Sequence, residues 1–343
     1  MQTPKVTVLM PVHNGQQHLR EAIESILKQS FTDFEFLIID DGSTDGSTAI
    51  VKTYNEPRIR LIANTENQGT VHVLNQGIQE AKGEYIARMD ADDISLPQRL
   101  EKQVRFMDSR PDIGISGAGI SGAGMRLIKK GKLKNTRTQP EQDKELKITL
   151  LFNTCFFHPT VIIRTALAKK HPYPDNLVYT QDYNYWTKLA PLTRFANLKE
   201  TLLYFREHEG QLSTRKADLQ ITNARNIREA YLRRLRDSIT PEELEIHHQI
   251  AENRKEIDLK KAESWLVKLE ESNAAKTIFD LDACKREISR KWWLTCRKNT
   301  IYGRNVLAVY RSSPLALQYR PETIKYLKFA LRSVLGRNSD ATN

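Results

Sequence analysis

The chain is poor in everything that would tie it together covalently or seat it in lipid. Its three cysteines, Cys155, Cys284 and Cys296, are odd in number and lack the close spacing of a zinc site. That pattern excludes a disulfide framework and implies a reducing compartment. No run approaches the roughly 18 consecutive apolar residues that a membrane-spanning helix needs. A basic head, a longer apolar stretch and a small-residue cleavage site are missing at the N-terminus, so a secretory signal is not expected. Glycine-rich phosphate cradles are missing too: no G-x-G-x-x-G stands directly after the first apolar run, and G-x-x-x-x-G-K-[ST] does not occur. Any phosphate handled here needs another source of positive charge.

What remains is an ordinary globular composition, 39% hydrophobic and 28% charged, over 343 residues, enough for two domains. The net charge of +11 is uneven, for residues 281–343 hold 13 Lys and Arg against 4 Asp and Glu. A tail of that kind is expected to meet an anionic partner, a membrane surface or a nucleic acid.

Strand-like and helix-like segments alternate over the first ~210 residues, the pattern of βαβ units on a mostly parallel sheet. Val6–Met10 reads as a buried strand. Leu19, Ala22, Ile23, Ile26 and Leu27 then fall on one helical face. The apolar run Phe36–Ile39 ends in Asp40-Asp41-Gly42-Ser43, and a helix is expected from Ser47 to Tyr54. A strand at residues 59–62 and a helix over residues 70–81 follow, and then the strand Tyr85–Met89 runs into Asp90-Ala91-Asp92-Asp93. Ser95 as cap and Pro97 in the first turn open the next helix. The five residues Ile-Ser-Gly-Ala-Gly occur twice in tandem over 115–124, an insertion expected to lengthen a loop or add a bulge. Beyond residue 213 the texture turns to Glu, Lys, Arg, Leu and Ala, with a helix start at Thr240-Pro241-Glu242-Glu243. The expected domains are therefore 1–213 and 214–343.

The acidic clusters carry the chemistry. In open α/β sheets ligands bind outside the carboxyl ends of the strands. Three carboxylates within four residues there, Asp90, Asp92 and Asp93, repel one another unless a cation compensates. All-oxygen ligands suit Mg²⁺ or Mn²⁺, which can act as a Lewis acid on a departing diphosphate. An acidic loop that merely caps the next helix is the competing reading. Asp40 and Asp41 end the second strand, where a carboxylate can accept from a ribose hydroxyl or a base N–H; Asp45 and Ser47 fit turn and capping chemistry. Asp182, among Tyr179, Tyr183, Tyr185 and Trp186, has surroundings that suit sugar stacking and a raised carboxylate pKa, although such aromatics also pack ordinary cores.

Thr7-Val8-Leu9-Met10-Pro11-Val12-His13-Asn14 and Ile38-Ile39-Asp40-Asp41-Gly42-Ser43-Thr44-Asp45 closely resemble the family 2 glycosyltransferases. Asn67-Gln68-Gly69, Asn75-Gln76-Gly77-Ile78, Ala81-Lys82-Gly83-Glu84-Tyr85 and Asp90-Ala91-Asp92-Asp93 continue the match in order, over residues 5–213. The resemblance implies a GT-A fold, a Rossmann-like mostly parallel α/β sheet flanked by helices, here followed by an α-helical C-terminal region. It implies that Pro11 and Asp41 line a nucleobase pocket and that Asn75 contributes on the donor side. Asp90 and Asp92 match the D-x-D motif: Asp92 as metal ligand, Asp90 at the ribose or the metal's water, Asp93 in support. Asp182, preceded by Gln181 and followed by Trp186, matches the catalytic base. Arg206 and His208, with Gln211 and Ser213, match a motif near the diphosphate. Gln181 replaces the acidic residue usual before the base, and Leu74 replaces an Arg common before the Asn; Arg88 is a candidate to supply the missing contact. His158-Pro159-Thr160 matches a recurrent segment without an assigned role, and His13, His18, His72, His171, His247 and His248 read as structural or solvated.

Together these readings imply an inverting enzyme using Mn²⁺ or Mg²⁺ to move one sugar from a nucleotide-sugar, UDP before GDP or dTDP, to a glycan or lipid-linked acceptor. The Q-x-x-R-W motif of processive membrane-embedded synthases is not found. Between Arg290 and Arg337 the aromatics Trp292, Trp293, Tyr302, Tyr310, Tyr319, Tyr326 and Phe329 alternate with basic residues. Such helices lie on anionic membranes, which places the enzyme in the cytoplasm at the inner face of the cell membrane; a helical bundle or a homodimer contact stays open. A sugar-phosphate nucleotidyltransferase is the nearest alternative, but it normally shows a glycine-rich basic loop after the first strand. A nucleic-acid-binding tail is another and leaves the acidic loops unexplained, so no nucleic-acid partner is expected.

Overall fold

The computed structural model describes residues 3–124, 136–174, 179–207 and 217–335. The chain divides into two compact units, Met1–Leu146 with Thr154–Asn223, and Lys147–Asn153 with Ala224–Asn343. The boundary expected near residue 213 falls outside the described residues.

The first unit is built on one sheet. Its strands are β1 (Val6–Val12), β2 (Phe34–Asp41), β3 (Ile59–Asn64), β4 (Tyr85–Arg88), β5 (Ile94–Ser95), β6 (Ile113–Gly124), β7 (Thr136–Arg137), β8 (Ile162–Arg164) and β9 (Arg194–Glu207). They lie in the order β3-β2-β1-β4-β8-β6-β9-β5, with β7 paired to β6. The run β3-β2-β1-β4 is parallel and so is the β6–β9 pair, whereas β8 joins β4 and β6 antiparallel. Helices α1 (Leu19–Leu27), α2 (Ser47–Lys52), α3 (Thr70–Glu80), α4 (Arg99–Ser109), α5 (Asp143–Thr149) as far as Leu146, α6 (Thr165–Lys170) and α7 (Gln181–Leu189) accompany it.

The central strands are apolar without alternation because both faces are covered; Val6, Val8, Met10, Phe36 and Ile38 have no exposed surface. Against them α1 sets Leu19, Ala22, Ile23 and Ile26, all fully buried, as the helical period requires. Pro11 sits in this sheet without loss. The carbonyl of Leu9 accepts from Met89 N–H on the β4 side, and pairing with β4 ends at Leu9. Backbone groups two residues apart in a strand face the same edge, so the N–H that Pro11 lacks would have met no strand.

Two local expectations give way to tertiary contacts. Ser95 does not cap a helix but lies buried in β5, its N–H on Ser25 Oγ and its hydroxyl accepting from Gln29, and α4 begins only at Arg99. The tandem repeat forms no loop either. Residues 113–124 continue as one strand along β9, and the pairing shifts register between Ala118 and Gly119 and again before Ile120, at the junction of the two copies. A bulge absorbs the odd insertion, as the two-residue side-chain period demands.

The second unit contains α8 (Ala217–Leu232) from Ala224 onward, α9 (Pro241–Ala251), α10 (Leu259–Lys276), α11 (Leu281–Lys298), α12 (Arg304–Ser312) and α13 (Thr323–Leu335). Thr240 and Glu243 form the expected capping box at the start of α9. Trp265, Trp292 and Trp293 are buried at 2% exposure or less. The segment 147–153 belongs to this core: Phe152 stacks on His247 at 5.0 Å, and Leu151 O accepts from His247 Nε2 at 2.8 Å. Burial holds that imidazole neutral, pulled down to about 3. Lys291 lies over the Phe152 ring at 4.7 Å, and burial lowers it to about 8. Among the described residues no helix is long and apolar enough to cross a membrane.

One glycine fixes how closely α3 returns to the sheet. A Cβ on Gly83 would lie 2.4 Å from Thr7 N and 2.5 Å from Val6 C, and the Gly83 N–H donates to Thr7 Oγ1 at 2.9 Å. Backbone cannot yield as a flexible side chain can. Gly83→Ala is therefore expected to cost about 1–3 kcal/mol, read as a lower midpoint in urea unfolding with an unchanged slope.

Candidate active site

Four chain segments meet their chemistry at the carboxyl ends of β1, β2 and β4. The turn after β1 is zipped to the turn after β2. Asn14 N–H donates to Ser43 Oγ, Gly15 N–H to Ser47 Oγ, and Gln16 N–H to Asp45 Oδ2, while Thr44 N–H returns a bond to Asn14 Oδ1. Asp45 also accepts from Ser47 N–H, and although burial opposes it, these bonds hold its carboxyl below the usual range. Asp45 and Ser47 thus do the turn work expected of them. Asp40 is likewise occupied, accepting from Ser43 N–H and Thr48 Oγ1.

Asp41 is only 4% exposed, and its carboxylate shapes a wall. It accepts from Gln68 N–H at 3.0 Å, Gly69 N–H at 2.9 Å and Asn64 Nδ2 at 3.2 Å. Gly42 lets that loop close in: its φ is +64°, and a Cβ there would stand 2.5 Å from Glu66 C. Asn75 uses both ends of its amide on the backbone of Tyr173, donating to the carbonyl at 2.9 Å and accepting from N–H at 2.8 Å.

The end of β4 delivers the acidic turn. One oxygen from each of Asp90, Asp92 and Asp93 lies within 4.8 Å of the others. Asp93 has no exposed surface; Arg206 N–H donates to its Oδ1 at 2.9 Å, and its Oδ2 has no hydrogen-bond partner among the described residues. Burial pushes its carboxyl well up, with the Asp90 and Asp92 charges adding to the rise. An oxygen placed this way, beside two further carboxylates, fits a divalent cation better than a helix cap.

Arginines offset part of this charge. Arg88 Nη2 pairs with Asp90 Oδ1 at 2.6 Å, and its Nε and Nη1 are buried without partners among the described residues. Burial alone would lower Arg88, but Asp90 outweighs it and raises the guanidinium above its ordinary value. Arg99 is wholly buried and donates to Arg88 O at 2.6 Å; burial brings it down to about 10 against the charge of Asp93. Arg206 binds the turn itself, donating from Nε to Asp92 O at 2.8 Å and from Nη2 to Glu21 Oε2 at 2.6 Å. Arg99 and Glu21 were not legible as site residues, because each reads as one polar position on a helix.

Asp182 stands in the first turn of α7, close enough to feel the charges of Arg88 and Asp90. Burial raises its carboxyl, opposed by Tyr183 N–H and Arg88. Its expected aromatic neighbours are core residues: Tyr183, Tyr185 and Trp186 are buried, and Tyr185 stacks on Tyr173 at 3.9 Å. His158, without a role from sequence, bonds Tyr173 Oη at 2.7 Å, and burial together with Arg88 keeps it neutral. Asp90, Asp92, Asp93, Arg88 and Arg206 thus form one charged group with Asp182 within electrostatic reach. Pro11 and Asp41 lie at the ends of the neighbouring strands. His208, Gln211 and Ser213 lie outside the described residues.

Similarity to known proteins converges on this unit. Residues 7–168 match the family model described as glycosyl transferase family 2. The O-antigen biosynthesis glycosyltransferase WbnJ of Escherichia coli is 35% identical over 220 residues, covering 62% of this chain and 83% of that one. Among solved structures, residues 1–349 of S. aureus TarS in complex with UDP-GlcNAc superpose with a TM-score of 0.57 at 17% identity, covering 97% of this chain and 92% of that one. The mannosyltransferase PcManGT from Pyrobaculum calidifontis, in complex with GDP-Man and Mn²⁺, gives 0.51 at 18% identity, with 98% and 86% covered. The two solved structures share the fold, and with WbnJ 35% identical and covered over 83% of its length the chain belongs to glycosyl transferase family 2.

Proposed function

We propose that this glycosyltransferase is an inverting, metal-dependent enzyme that moves a single hexose from a UDP-sugar to a hydroxyl of a glycan or lipid-linked acceptor. The work would be a step in cell-surface polysaccharide biosynthesis, carried out in the cytoplasm on an acceptor presented at the inner face of the cell membrane. The observation that carries this reading is the carboxylate group at the end of β4, crowded and buried at Asp93, with Asp182 beside the same arginine. The sugar nucleotides bound by TarS and PcManGT, and the Mn²⁺ of the latter, support the choice of donor class and cation.

Asp92 and Asp90, with Asp93 in support, would hold Mn²⁺ or Mg²⁺, which when bound supplies Lewis-acid charge to the diphosphate oxygens. Pro11 and Asp41 bound the nucleobase pocket, Asp41 by holding residues 67–69 in place as well as by its own carboxylate. Asn75 steadies Tyr173, and Arg206 fixes the backbone of the acidic turn; Arg206 and His208 would serve the diphosphate. Asp182 takes the proton of the acceptor hydroxyl. The hydroxyl oxygen bonds to the anomeric carbon from the face opposite the diphosphate, and the sugar–phosphate C–O bond breaks with its electron pair left on the diphosphate. Configuration therefore inverts. The raised pKa of Asp182 brings the base nearer to neutral pH, where it works best.

Three outcomes are expected. Asp92→Ala abolishes Mn²⁺-dependent thermal stabilisation by UDP-sugars, whereas full stabilisation in that variant, or equal turnover in chelator, removes the metal from the scheme. Asp182→Asn keeps donor binding and loses transfer by roughly a hundredfold or more; it also removes the acid limb of the pH–rate profile, along which the wild type gains rate as pH climbs through the raised value. The third outcome concerns Asp93 in metal-free protein. Its folded pKa is raised above the ordinary 3.8, so its stabilising share is complete below that value and is lost as pH rises through the folded one. In chelator, Asp93→Asn should flatten the decline of melting temperature with pH, and an identical slope in both proteins refutes the assignment.

A further inference from the structure

Helix α13 turns a row of large aliphatic side chains outward. Ile324 is 67% exposed, Leu327 61%, Leu331 60%, Val334 47% and Leu335 52%. At about 100° per residue these five fall within an arc of roughly 100°. Lys325, Lys328 and Arg332 occupy the adjoining arc, and Thr323–Leu335 contains no Asp or Glu. The opposite side is inward: Phe329 and Ser333 are buried, and Phe329 joins Trp293 at 5.0 Å and Tyr310 at 5.6 Å. This corrects the expectation for the aromatics: Trp292, Trp293, Tyr310 and Phe329 are core and do not face lipid, whereas the large aliphatic side chains of α13 are exposed. Just before the helix Leu317 is 80% exposed.

We infer that α13 is a membrane-docking helix whose Ile324–Leu327–Leu331–Leu335 stripe enters an anionic lipid surface while Lys325, Lys328 and Arg332 meet its phosphates. A protein partner would need an acidic rim, and a second copy of this chain brings the same three cations, which repel across a twofold contact. An anionic bilayer supplies both the apolar interior and the compensating charge. Of the ion pairs among these residues, Lys325 with Glu322 is at the exposed start of the helix and is readily exchanged for a lipid phosphate. The docking rests on the reading above only in that the acceptor is presented at a membrane.

Full-length protein is mixed with vesicles of phosphatidylcholine alone or with added phosphatidylglycerol and sedimented, without donor or metal. Binding is expected only to the anionic vesicles and weakens with salt. Leu327→Glu with Leu331→Glu removes it at unchanged melting temperature, since both side chains are exposed. K325Q/K328Q/R332Q weakens it roughly a hundredfold, about fivefold per charge. The Asp182→Asn protein binds vesicles like the wild type, so failure of the transfer chemistry and failure of docking are separately visible. Wild type that ignores both vesicles, equal binding to neutral lipid, or a dimer that the leucine variant splits without any vesicle binding each overturns the inference.

Discussion

Like charge crowded into a place with little water governs the candidate site. Three carboxylates close a turn at the end of β4, one of them with no surface at all, and each neighbour can be understood by what it does about that. Arg88 answers Asp90 directly. Arg206 gives its N–H to Asp93 and its guanidinium to the Asp92 carbonyl, so the turn is held by backbone as well as by charge. Arg99, with no exposed surface, sits behind and ties its guanidinium to the carbonyl of Arg88. The compensation stops short of completeness, leaving one buried oxygen of Asp93 and two nitrogens of Arg88, Nε and Nη1, without protein partners among the described residues. A site left unbalanced in this way is suited to a ligand that carries both a cation and phosphates.

The two turns beyond β1 and β2 show the same economy in neutral form. Asn14, Gly15 and Gln16 give their N–H groups to Ser43, Ser47 and Asp45, and Thr44 and Gly46 return theirs to Asn14 and Gln16, so the two turns brace each other beside the acidic turn. Preorganisation of this kind keeps reorganisation out of the reaction itself. Asp41 extends it, because a carboxylate bonded to the Gln68 and Gly69 N–H groups fixes the loop in front of α3.

Most of the first unit was legible in the sequence, because strand runs, helical periods and strand-end acids are local patterns. Asp90, Asp92 and Asp93 stood out by residue type and spacing, and Asp182 mainly through the family resemblance. What stayed hidden depended on partners distant in the chain. Ser95 has the chemistry of a cap, yet Gln29 and β9 claim it for a strand. Arg99 and Glu21 look like solvated helix positions until β4 and β9 are placed beside them. In α13 an alternation of aromatic, aliphatic and basic residues does not say which apolar face turns inward; Trp293 and Tyr310, on other helices, decide that. The same limit applies to Asn75, whose amide is matched to the backbone of a residue 98 positions away.

The short segment Lys147–Asn153 has a bearing on how such a gene can be cut and recombined. It is flanked on both sides by residues of the sheet unit, yet Leu150, Leu151 and Phe152 are wholly buried, with Phe152 against His247 and Lys291 and with Asn153 bonded to Ala251. The helical unit is therefore discontinuous in the chain. Severing the polypeptide after the family motifs would strip three large side chains of their cover and leave a gap beside the neutral His247. Swapping tails between relatives meets the same obstacle unless these seven residues travel with the tail. The sheet and the helical unit are thereby inherited together, a linkage written into the path of the chain instead of into any single contact.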